Sequence, residues 1–111
     1  MTESITVSSI FHVAMPDDLQ RATRTGEYVC DSLASEGFIH CCLAHQLAGV
    51  LERYFTDITD YTVVEINIEN LPDKLKPVFE NTVGGTELFP HIYGALPGSS
   101  YKVVLANNLN E

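Results

Sequence analysis

Four histidines stand at positions 12, 40, 45 and 91. Three of them sit in apolar or aromatic surroundings where a polar ring is unexpected: Ile10-Phe11-His12-Val13-Ala14, Phe38-Ile39-His40-Cys41 and Phe89-Pro90-His91-Ile92-Tyr93. An imidazole on a half-buried strand must find hydrogen-bond partners, because an unsatisfied buried polar group costs on the order of 1–3 kcal/mol. Taken singly, each ring is accounted for by a backbone carbonyl. Three in comparable contexts predict that neighbouring strands bring His12, His40 and His91 into one cleft. His45 falls off the apolar face of its helix and is expected in solvent. Glu36, Glu80 and Glu87 are the carboxylates nearest the histidine segments, and each is also readable as a solvated charge.

Metal binding is the rival chemistry. His40, Cys41, Cys42 and His45 are suitable donors over a short span. On a strand, however, Cys41 points away from His40 and Cys42, and the chain has no CxxC or HxxxH pair, so no metal site is expected over that span. One assembled from His12, His40 and His91 is less excluded by spacing, and it too is expected to be absent. Cys30 has no base near it in sequence to mark a nucleophile. GxSxG, Walker, GxGxxG and HExxH patterns are absent, and Gly84-Gly85 reads as a flexible turn.

The elements that must carry these residues alternate early and then run to strand. Residues 10–15 read as a strand with Ile10, His12 and Ala14 on one face. Pro16-Asp17-Asp18 opens a short helix that Gly26 closes. Residues 38–42 read as a strand, and residues 43–55 as the strongest helix, with Leu43, Leu47, Val50, Leu51 and Tyr54 forming one apolar stripe. Residues 61–68 and 101–105 are β-branched strands, with a short extended piece at 77–80, a loop over 81–87 expected to move as a lid, and a fraying tail. Strands outnumber helices, which gives an α+β class. No linker splits the chain, so residues 1–111 are expected to form a single domain.

Composition narrows the partners. The 111 residues carry 6 Lys+Arg against 15 Asp+Glu, a net charge of −9. A nucleic-acid module wants a basic stripe that is missing, and an anionic membrane surface would repel the chain. No run approaches the ~20 apolar residues of a membrane span. Three cysteines, two adjacent, cannot form a full set of intrachain bridges. Reduced thiols and the lack of a secretory signal give a cytoplasmic expectation, as a monomer or weak homodimer.

The segments Ile10-Phe11-His12-Val13-Ala14, Gly26-Glu27-Tyr28, Ser32-Leu33-Ala34-Ser35-Glu36-Gly37-Phe38-Ile39-His40-Cys41 and Phe89-Pro90-His91-Ile92-Tyr93-Gly94-Ala95-Leu96 resemble the bacterial family known as domain of unknown function 952. The chain departs from that pattern with Leu19 where a tryptophan is usual, Cys42 where a serine is usual and Ala95 where a proline is usual. The resemblance implies an ADP-ribosyltransferase-like fold, a curved, mainly antiparallel split β core with flanking helices and an NAD cleft between its halves. It implies His12, Tyr28, Ser32 and Tyr93 as ligand-binding residues, with His12 bonding a ribose hydroxyl. It further implies His40, His91 and Glu80 as catalytic residues, Glu80 or Glu87 supplying the carboxylate beside an oxocarbenium-like ribose. NAD is then a substrate or ligand, no resident cofactor is required, and the activity is that of an NAD- or ADP-ribose-related transferase or glycohydrolase. A non-catalytic module that binds a small ligand or a protein in the same cleft is the alternative.

Overall fold

The computed structural model describes residues 8–81 and 84–107. Strand β1 (Ser9–Ala14) turns Ile10, His12 and Ala14 inward, as its alternation predicts. Helix α1 (Pro16–Thr25) takes Pro16 in its first turn, Asp17 and Asp18 at its positive end, and stops at Gly26. Gly26 adopts φ 87, a left-handed cap that a side chain would strain. Strand β2 (Glu27–Tyr28) leads into α2 (Asp31–Glu36), ended by Gly37 at φ 92. Helix α2 was not expected from sequence; six residues are too few to display an apolar period.

The expected strand over residues 38–42 is shorter than read. Strand β3 is Ile39–His40 alone, because the next residues serve two partners. Cys41 N–H still donates to Pro90 O at 3.0 Å, while Cys42 exchanges both backbone hydrogen bonds with Phe11 at 2.8 Å. This five-residue stretch therefore hands over from one sheet to another and ties them together.

Helix α3 (Ala44–Tyr54) follows, then β4 (Tyr61–Asn67), two 3-10 turns, β5 (Val78–Glu80), β6 (Phe89–Ile92), β7 (Leu96–Pro97) and β8 (Tyr101–Asn107). The strands make three small sheets ordered β1-β4-β8, β2-β7 and β3-β6-β5, and every pairing is antiparallel. The class is α+β. Two register facts matter later: His40 sits opposite His91, and Val78 to Glu80 run opposite His91 to Phe89. Between β4 and β8, Val63 faces Leu105 and Val64 faces Val103, so Val104 bulges from the ladder.

Ile10, Ile39, Ile66, Ile92 and Leu96 are fully buried at the centre of the core. Each stabilises the fold by about 1.5–3 kcal/mol through removal from water. The stripe of α3 is buried less than predicted: Leu47, Val50 and Leu51 are half-buried and Tyr54 is exposed. The helix's one buried residue is polar Gln46, whose Oε1 accepts Leu43 N–H at 2.8 Å and whose Nε2 donates to Leu88 O at 3.0 Å. The lid expected over 81–87 includes residues 82 and 83, which lie outside the described residues, as does the tail at 108–111. Among the described residues no helix is long and apolar enough to cross a membrane.

Candidate functional site

His12 arrives on the inward face of β1 and is 6% exposed. Its Nδ1 lies 2.6 Å from His40 O and its Nε2 lies 2.6 Å from Tyr28 Oη. A carbonyl can only accept, so Nδ1 carries the proton; Nε2 is then the bare acceptor and Tyr28 Oη–H donates to it. Burial drives the His12 pKa down to about 4, overcoming the opposite pull of the carbonyl bond, so the ring is neutral near pH 7. Burial likewise raises the Tyr28 phenol. Both His12 nitrogens are spent inside the protein. The expected hydrogen bond from His12 to a ribose is corrected accordingly: the ring holds Tyr28, whose oxygen can then only accept and has the Cys30 thiol beside it as a further hydrogen-bond partner.

The second buried imidazole is wired differently. His91 on β6, 1% exposed, places Nδ1 2.7 Å from Glu80 Oε1, a contact set by the antiparallel register of β5 and β6. Tyr93 Oη–H donates to the same oxygen at 2.7 Å. These two hydrogen bonds, Tyr93 first, lower the Glu80 pKa and keep it a carboxylate, while the carboxylate raises that of Tyr93. An ionised carboxylate only accepts, so His91 Nδ1 is the donor and Nε2 has no partner among the described residues. Phe38 stacks on the His91 ring, centroids 4.1 Å apart at 17°, and His40 meets its edge at 5.2 Å. His40 itself is half exposed, with Nε2 3.1 Å from Glu36 Oε1.

One concave cleft of about 510 Å³ gathers these groups. His12, His40, His91, Tyr28 and Ser32 all line it, Ser32 with its hydroxyl bonded to Phe38 O at 2.8 Å. Glu80 and Tyr93 are not on its lining; they meet each other and reach the cleft through His91, which bonds to Glu80. Glu87 is not on the lining either, its Oε2 accepting from Gln46 Nε2 at 3.2 Å. Sequence reasoning missed the opposite wall. Val50, Tyr54 and Phe55 line the cleft, and the signal was the end of the α3 stripe, apolar residues with no core to enter. Phe11 and Phe89 add further aromatic surface.

The charge of the lining is negative. Asp18, Asp31 and Glu36 face the cleft, and no Lys or Arg does among the described residues; Arg21 pairs with Asp18 at 2.9 Å. Cys30, Cys41 and Cys42 also line it and are free thiols. Burial raises Cys41 and pushes Cys42 up to about 11, which leaves both protonated and unreactive. Among the described residues no three His, Cys, Asp or Glu side chains are placed to hold a metal ion.

The chain belongs to the family described as a protein of unknown function, DUF952, whose pattern matches residues 13–104. Its fold is similar to the crystal structure of protein CC0527 from Caulobacter crescentus, with a TM-score of 0.73 and 21% identity, covering 85% of this chain and 81% of that one. A double mutant of the same Caulobacter crescentus protein matches with a TM-score of 0.72 and 20% identity, covering 86% and 85%. No curated protein matches the sequence.

Proposed function

We propose that the cleft binds the nicotinamide–ribose end of NAD or a related pyridine nucleoside, in an ADP-ribosyltransferase-like fold. The observation that carries this reading is the His12–Tyr28 pair on the cleft wall. Because Tyr28 spends its proton on His12, its oxygen can only accept, and a ribose hydroxyl is the donor that fits. The walls suit the rest of the fragment: Phe11, Tyr54, Phe55 and Phe89 offer flat apolar surface, and the Asp31 and Glu36 carboxylates favour a cationic ring. A diphosphate is poorly served where no Lys or Arg lines the cleft. The nucleoside end is therefore the recognised part.

A non-catalytic binding module is the second reading, favoured by the position of Glu80, which is held behind His91 rather than in the cleft. Titration calorimetry on the full chain separates ligand classes directly. Nicotinamide riboside is expected to bind at least as well as NAD, and ADP-ribose least. Tyr28→Phe, which removes one neutral hydrogen bond of ~0.5–1.5 kcal/mol, should weaken nicotinamide riboside about threefold to tenfold. Absence of heat with all three at millimolar concentration would remove the nucleoside reading.

A further inference from the structure

His91 is the one buried histidine in the cleft with a nitrogen to spare. Its Nδ1–H is fixed on the Glu80 carboxylate at 2.7 Å, its ring plane is fixed by Phe38 stacked at 4.1 Å, and Nε2 has no partner among the described residues while the residue lines the cleft. A carboxylate on one imidazole nitrogen fixes the tautomer and stabilises the imidazolium that forms when the other nitrogen takes a proton. Tyr93 Oη–H on the same carboxylate oxygen holds that carboxylate in place.

We propose that His91 Nε2 is the proton acceptor of the cleft, activating water for hydrolysis, with Glu80 and Tyr93 as positioning residues. For its natural substrate the inference rests on the pyridine-nucleoside reading. There, the water oxygen bonds to the ribose C1′ as its proton passes to His91 Nε2. The C1′–N bond breaks with its electron pair going to the pyridinium nitrogen, which leaves as neutral nicotinamide. His91 then gives the proton to solvent, so charge and atoms balance with no further reactant. A cationic leaving group needs no acid, and none is required on the wall opposite.

The test uses p-nitrophenyl acetate beside nicotinamide riboside, since the ester asks only for an activated water and a cleft that admits a flat ring. Water adds to the acetyl carbon, its proton goes to His91, and p-nitrophenolate departs with the bonding pair. A saturable rate is expected that falls at least tenfold in His91→Gln and is unchanged in His45→Gln. In Glu80→Gln it should fall about threefold to tenfold, in kcat with KM unchanged, because the ring that takes the proton is no longer held by a carboxylate. The groups facing the ring are Glu80 on β5 and His40 on β3, with Tyr93 acting through Glu80, and Tyr93→Phe should cost about twofold. Glu80→Gln alters a partly exposed side chain and keeps the test decisive should His91→Gln fold poorly. A wild-type rate that does not saturate, or variants that keep its kcat, would overturn the proposal. Should calorimetry show no nicotinamide riboside binding while ester hydrolysis still depends on His91, the ligand reading falls and the proton acceptor stands.

Discussion

The wall built on β1 and the wall built on β6 each bury a histidine, and the two are nearly equal in burial, 6% and 1% exposed. They differ in what sits at Nδ1 and in whether Nε2 is used. His12 donates to a neutral carbonyl and accepts from Tyr28, so protonating it would break a bond and strand a charge. His91 donates to a carboxylate and leaves Nε2 open to the cleft, so protonating it would gain a counter-charge. Burial alone therefore does not distinguish a structural histidine from a chemical one; the acceptor behind the ring does.

The largest expected effect lies on the β1 wall. Folded His12 takes up a proton only near pH 4, whereas in the unfolded chain it does so near the ordinary value of about 6.5. Between those values the unfolded chain holds more protons, so the His12 contribution is complete above about pH 6.5 and is lost as pH falls toward 4, on the order of 3 kcal/mol in all. Urea midpoints of the wild type and His12→Asn, followed from pH 7 to 4, should diverge at the neutral end and converge in acid. Parallel curves would show that His12 burial is not the source.

A smaller effect is expected from Tyr28→Phe at pH 7. It leaves His12 Nε2 buried without a donor and should cost about 1–2 kcal/mol, read from the same urea midpoints. Smallest is the mirror experiment on the β6 wall. Glu80 is one-third exposed, and Glu80→Gln should leave the urea midpoint where it was, even as it changes the rate. A midpoint shift as large as that of Tyr28→Phe would mean the two walls are alike after all, both built for stability.

What the sequence disclosed follows from how far each signal reaches along the chain. Local signals were legible: the alternation of Ile10, His12 and Ala14, Pro16 and Gly26 bracketing α1, and the β-branched run of β4. The convergence of His12, His40 and His91 was readable because each lay in a similar apolar context. The bonds that give those rings different roles were not. Tyr28 reaches His12 across 16 positions and Glu80 reaches His91 across 11; the second follows the register of β5 on β6, and the first crosses from one sheet to another, so neither is set by neighbouring residues. Helix α2 and the handover at Cys41-Cys42 were lost for a related reason, since each is shorter than the period by which it would be detected.

The bulge at Val104 bears on how the molecule behaves in a crowd. Strand β8 borders its sheet with only β4 beside it among the described residues, and Val103, Val104 and Leu105 are each about half exposed in succession. An uninterrupted apolar border of this kind is a template on which another chain's strand can add, the first step of cross-β aggregation. One extra residue at the middle of the run breaks the two-residue rhythm of outward amide and carbonyl groups, so an incoming strand in register at Val103 is out of register at Leu105. What looks like a defect in the ladder interrupts the template that a second strand would have to follow.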